Sequence, residues 1–207
     1  MVLRLLLFLL LAGLLLAPPA LAMDLPPGFV DEEYFFLVNA TSLSWAPDGA
    51  LWVSQRTGGV WVYRDPQLIN AHTLDVDWVT GERGFHTLHV DPDYMTNGHI
   101  WVFYTPTEQP ARNRLSRLIF VNDVFQSEEI VLEIPQQNAI HNGGCMAFAE
   151  DKTLFLGVGD DFLYSVSGQD PTDIHATILH INRDGSPAAG NPFLNGRQGK
   201  ADAEERT

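Results

Sequence analysis

Three stretches of the chain repeat one pattern of apolar and polar positions. Each is an apolar run, an acidic turn, and a second run rich in aromatic and β-branched residues. They are LSWAPDGALWVSQ from Leu43, LHVDPDYMTNGHIWVFYT from Leu88 and MAFAEDKTLFLGVGD from Met146. Leu51 and Val53 alternate with Trp52 and Ser54, as in a strand with two different faces. Asp48-Gly49 and Asn97-Gly98 are tight-turn signals, so each stretch predicts a β-hairpin. A further strand follows each hairpin: Val60–Arg64, Arg117–Val121 and Thr177–Asn182. No segment sustains a helical period. The pattern predicts an all-β chain of three multi-stranded units recurring every roughly 45–60 residues, the signature of propeller blades.

Three blades do not close a ring, because closed propellers begin at about four. An open arc leaves strand edges exposed. The polar tail 195–207 (NGRQGKADAEERT) has no apolar pattern and reads as a loop. The expectation is a partial β-propeller over 23–194, the front half of something larger.

The first residues change the picture of where the chain works. MVLRLLLFLLLAGLLLAPPALA combines Arg4, an apolar run, a Pro-Pro break and a small-residue end. That predicts a signal peptide over 1–22, cleaved after Ala22, and a secreted or periplasmic protein. No later run is long enough to span a membrane. The formal net charge is −14, and an acidic surface repels phosphate backbones, which argues against nucleic acid as a partner. The single cysteine, Cys145, allows no intrachain disulfide and reads as a small buried apolar residue. Asn39-Ala-Thr41 matches a glycosylation sequon.

His141-Asn-Gly-Gly opens the third stretch and Gly-Asp160-Asp161 closes it, so the hairpin carries polar groups at both ends. By themselves these have ordinary readings. His141 is a loop histidine, Asp160 a strand-end cap, Asp161 a solvated turn residue, and Glu82 pairs with Arg83. Other candidates read as structural. His86 and His89 are three apart and would face opposite sides of a strand, which argues against a shared metal. Asp75 and Asp77 would share a solvated face. Asp173, His175 and His180 lack a recognised metal spacing. Gly157-Val-Gly159 lacks the third glycine and the helix of a dinucleotide loop. Trp45, Trp52, Trp61 and Trp101 read as blade packing, and Arg112-Asn-Arg114 as a solvated loop.

Several longer pieces resemble the soluble quinoprotein glucose/sorbosone dehydrogenases, also called aldose sugar dehydrogenases. They are LPPGF, PDGALWVSQRTGGVWV, GERGFHTLHVDPDYMTNGHIWVFYT, NRLSRLIF, HNGGCMAFAEDKTLFLGVGDD and GQDPTDIHATILHINRDGSPAAGNPF, in family order. The resemblance implies a six-bladed propeller of which this chain holds about three blades. It implies pyrroloquinoline quinone (PQQ) and Ca2+ as cofactors, oxidation of the anomeric hydroxyl of an aldose to a lactone, and a possible dimer. On matching positions, His141 is the general base, Asp160 its support, and Glu82 lies near substrate and quinone. Asn142 and Gly143 would approach the cofactor, with Gly143 and Gly144 letting backbone pass close to a flat ring. The family's calcium-binding segment has no counterpart here, so no metal ligand is assigned.

The chemistry suits these residue types. Hydride removal from an alcohol requires loss of the hydroxyl proton, and a neutral imidazole accepts a proton in the physiological range. A carboxylate on the far ring nitrogen fixes the tautomer. Side chains do not accept hydride, so a cofactor must. The match departs from the family at Arg83, at Phe85-His86-Thr87-Leu88, at Ala176-Thr177 and at His180. A non-catalytic propeller that binds a protein or glycan, and a non-functional fragment, are the competing expectations.

Overall fold

The structure is a computed structural model that describes residues 25–163, 170 and 173–191. The expected signal peptide and polar tail lie outside those residues. The chain divides into two units, 1–36 and 37–207. In the first, the Phe29 N–H donates to the Pro26 carbonyl at 3.1 Å, closing a turn over Pro26-Pro27-Gly28.

The second unit carries three antiparallel sheets. The first contains β1 (Ala40–Trp45), β2 (Leu51–Gln55), β3 (Gly59–Arg64) and β4 (Gln67–Thr73), in that order. The second contains β5 (Phe85–Val90), β6 (His99–Tyr104), β7 (Arg112–Val121) and β8 (Val124–Pro135), again in sequence order. The third pairs β9 (Gly143–Phe148), β10 (Leu154–Val158) and β11 (Thr177–Ile181) through the central β10. The sheets are successive blades of a partial β-propeller.

Alternation decides which side chains join the blades. Trp52, Val60 and Val62 leave the first sheet to meet Phe85, Leu88, Ile100 and Val102 of the second. Trp101, Phe103 and Leu115 leave the other face of the second sheet to meet Met146, Leu154 and Leu156 of the third. Along β1, Ser42 and Ser44 accept the Leu88 and Val90 N–H groups at 2.8 and 3.1 Å, so hydroxyls substitute for a strand partner where two blades meet.

Several expectations change here. The outer strands β4 and β8 carry little alternation, because they are exposed along much of their length. One helical turn, α1 (Tyr94–Asn97), interrupts the β5–β6 hairpin and ends at Gly98 with φ 65°. Arg112-Asn-Arg114 is not a solvated loop; it opens β7, with Asn113 and Arg114 buried. Strand geometry tolerates the buried guanidinium because Glu133 and Glu108 lie 2.7 and 3.0 Å away. Trp52 and Trp101 are fully buried, but Trp45 is 54% exposed and does not pack between the described blades. Cys145 is exposed, not buried. It alternates with buried Met146 along β9 and therefore points to the opposite face.

One end of the blades is cross-linked by charge. Arg64 reaches Asp123 at 2.5 Å and Asp48 at 2.8 Å. Lys152 reaches Asp93 at 2.7 Å, and Arg183 reaches Asp91 at 3.0 Å. A cavity of about 290 Å³ opens at this end beside Asp48, Arg64, Tyr94 and Asp123, where Arg64 pairs with both aspartates.

Candidate active site

The other end of the blades collects the connections β4–β5, β8–β9 and the segment after β10. His141 lies on the β8–β9 connection with φ 59°. Gly159, at the exit of β10, passes so close beneath that a Cβ there would collide with the His141 carbonyl. The imidazole Nδ1 lies 2.7 Å from Asp160 Oδ1, with the two side chains 46% and 39% exposed. The ring bond to His141 and the Phe162 N–H hold the Asp160 carboxyl below its ordinary range. An ionised Asp160 accepts a hydrogen bond from Nδ1–H, and in the neutral ring with that tautomer Nε2 is the acceptor. The Phe162 ring stands edge-on to the imidazole at 5.1 Å.

Glu82 joins this pair without touching the ring. Its Oε2 accepts the His141 backbone N–H at 2.8 Å, and its own N–H donates to the Ala139 carbonyl at 2.8 Å. The expected Glu82–Arg83 pair does not form. Arg83 bonds Asp77 at 3.1 Å and the Asn138 carbonyl at 3.3 Å. Arg56 braces the same connection through the Gly81 and Arg83 carbonyls, at 2.6 and 3.2 Å.

Asn142 turns inward and is 5% exposed. Its Oδ1 accepts from Gln136 Nε2 and, at 3.4 Å, from Asn113 Nδ2. Thr105 donates to Asn113 Oδ1 at 2.7 Å, and His86 Nε2 meets Thr105 Oγ1 at 3.3 Å. Burial pushes His86 down to about 4, so this imidazole is neutral at the end of a buried polar row. Gly143 is exposed, and a Cβ on it would strike the Gly157 and Gly159 backbone. Gly144 is buried, and a Cβ there would strike Phe103 and His86. The hairpin's own packing thus requires glycine at both positions.

Asp161 overturns its reading as a solvated turn residue: it is 2% exposed. Its carboxylate accepts the Gln137 N–H at 2.5 Å and the Asn138 N–H at 3.2 Å. No strand period pointed to it, because β10 ends at Val158 and the chain reverses in left-handed backbone at Asp161. The Thr105–Asn113 row carried no signal either, since its members are distant in sequence.

The remaining candidates separate. His86 bonds Thr105, while His89 Nδ1 meets the Val90 carbonyl at 2.9 Å. Asp75 accepts from Thr107 at 2.6 Å, and Asp77 pairs with Arg83. His175 bridges Asp173 and the Pro135 carbonyl at 2.7 and 3.0 Å. His180 stacks on Phe155 at 4.2 Å and bonds Thr153 at 2.8 Å. Gly157 continues strand β10. Among the described residues no group of three or more His, Cys, Asp or Glu side chains could hold a metal ion. No helix among them is long and apolar enough to cross a membrane.

The family model for glucose/sorbosone dehydrogenase matches residues 37–203. The chain belongs to the glucose/sorbosone dehydrogenase family. Among curated relatives of this dehydrogenase-family chain, an uncharacterized protein of Synechocystis sp. is 25% identical over 77% of the chain and 44% of its own length. Quinoprotein glucose dehydrogenase B of Acinetobacter calcoaceticus is 24% identical over 75% of the chain and 39% of its own length. The PQQ-bound aldose sugar dehydrogenase of Streptomyces coelicolor superposes with a TM-score of 0.69 at 28% identity. That match covers 77% of this chain and 49% of the Streptomyces one. The chain therefore spans less than half the length of the curated relatives it matches.

Proposed function

We propose that the chain carries the proton-accepting corner of an exported, PQQ-dependent sugar dehydrogenase. The observation that carries this reading is the His141–Asp160 pair, joined at 2.7 Å, half exposed, in a glucose/sorbosone dehydrogenase-family chain. His141 Nε2 takes the proton of the substrate's anomeric hydroxyl. Asp160 holds the ring in the Nδ1–H tautomer and stabilises the imidazolium that forms. Glu82 fixes the backbone of His141 from the facing connection.

The donor set fits the proton-handling side of a two-electron alcohol oxidation. PQQ, when bound, would supply the two-electron acceptor, so that an aldose leaves as its lactone. In this chain Glu82 and the exposed backbone at Gly143 would line the quinone, with Asn142 bracing that turn from beneath. Calcium is proposed to accompany the quinone; the described residues hold no His, Cys, Asp or Glu cluster for it, and carbonyl oxygens are its other ligands. The segment 1–22 is proposed to export the protein to the periplasm or beyond.

The test is binding. PQQ and calcium chloride are titrated into the full-length chain while quinone absorbance and melting temperature are followed. Saturable binding is expected, with a rise of about 5–10 °C at a hundredfold excess over Kd, abolished by EDTA. A folded chain with neither signal would overturn the cofactor assignment for these residues.

A further inference from the structure

Three residues other than glycine hold left-handed backbone where the two site segments face each other. They are His141 at φ 59°, Asp161 at φ 50° and Phe162 at φ 56°. Such conformations cost free energy and persist where their surroundings over-determine them. The pair at 161 and 162 turns the chain back on itself after β10. Asp160 is left at the surface and Asp161 is sent inward, 2% exposed.

The buried carboxylate meets a segment that has no strand partner. Gln137 and Asn138 lie on the β8–β9 connection, where their N–H groups cannot join a ladder. Asp161 accepts both, at 2.5 and 3.2 Å, and its own carbonyl accepts Asn138 Nδ2 at 2.8 Å. The Asn138 carbonyl in turn takes Arg83, which is itself paired to Asp77. Asp160 and the loop bearing His141 are thereby tied together one residue from Asp160 and three from His141.

We propose that Asp161 is the positioning residue of this site, its buried carboxylate setting the distance between the His141 imidazole and Asp160. The inference rests on the reading of that pair as base and support. A carboxylate is suited to the task because it accepts two N–H groups at once and offers no competing donor. An amide in its place would turn a donor toward one of them. A residue that served blade stability alone would leave the imidazole's tautomer untouched when removed.

The experiment reads the imidazole directly. Full-length protein labelled with 15N-histidine is compared with Asp161→Ala, Asp161→Asn and Leu156→Ala. The last removes a fully buried side chain of the third blade away from the loop. Asp161→Ala is expected to mix the two His141 tautomers and to speed exchange of the Nδ1 proton about 10- to 100-fold, the equivalent of a lost charge-assisted hydrogen bond. Asp161→Asn should fall between, retaining one of the two acceptor bonds. Leu156→Ala should lower the melting temperature and leave the His141 signature intact. An unchanged signature in Asp161→Ala, or an equal change in Leu156→Ala, overturns the proposal. If Asp161→Ala does not fold, backbone exchange in the unsubstituted protein decides. Gln137 and Asn138 should exchange as slowly as the amides pairing β9 with β10, and exchange at open-turn rates refutes the clamp. None of these readouts is turnover, so the proton-accepting role of His141 stands or falls separately.

Discussion

At the scale of a residue, the His141 side chain is half exposed, pairs with a half-exposed Asp160 and meets Phe162 edge-on, so its removal costs the fold little. If the proposed function holds, His141→Ala is expected to keep the melting temperature within about 1 °C while lowering sugar turnover, wherever the complete enzyme shows it, about 10²–10⁴-fold, the usual span for a general base. Full activity in the variant would remove His141 from the mechanism. Asp160 has a sign that can be checked. His141 and the Phe162 N–H hold its carboxyl below the ordinary value of 3.8. A depressed carboxyl keeps its contribution above the ordinary value and loses it as pH falls through its own lower one. The ring N–H signal of His141 should therefore persist near pH 4 and fade only below 3.8. Fading already at about pH 5 would mean that the pair does not form in solution. His141 and Asp160 stood out in the sequence because a motif placed them. Asp161 did not, because an aspartate beside a strand end looks the same solvated or buried until the chain's reversal at φ 50° is known.

At the scale of an element, the blades are joined by hydroxyls near the axis and by charges at the turns. Ser44 is 9% exposed and accepts the Val90 N–H at 3.1 Å. Ser44→Ala leaves that N–H without its acceptor and should cost about 1–3 kcal/mol. Arg64 is 37% exposed, so Arg64→Ala should cost no more than about 1 kcal/mol, and less in high salt. Urea unfolding of both variants checks the order, and a larger loss in Arg64→Ala would mean that charge holds the joint. Legibility followed burial. Strands buried on both faces, such as β2 and β6, wrote their burial into the sequence as apolar runs. The outer strands β4 and β8 meet water along much of their length and wrote almost nothing. Arg112 and Arg114 misled because their charges are answered by Glu108 and Glu133, partners that no local pattern reveals.

At the scale of the whole arc, the antiparallel strands sort the connections into two ends with different work. One end is bound by ion pairs and the other holds the imidazole. Asp91 shows how firmly the first is fixed. Burial would raise its carboxyl, yet bonds from Trp101, Asn97 and the Asp93 N–H, with the Arg183 charge, bring it below the ordinary value of 3.8. Its contribution is present above that value and lost as pH falls beneath it. Trp101 donates to Asp91 at 2.7 Å from full burial, so its fluorescence should report acid unfolding that begins below about pH 4. Emission that shifts while the pH is still near 6 would contradict the linkage.

Cys145 gives the protein a handle of its own. It is the chain's single cysteine, exposed on β9 four residues after His141. A maleimide dye should couple there at one equivalent per chain without denaturant. The labelled protein would carry a reporter on the strand that leads out of the site. Quenching of that dye by an added coloured quinone would then measure proximity in a chain that need not turn over at all.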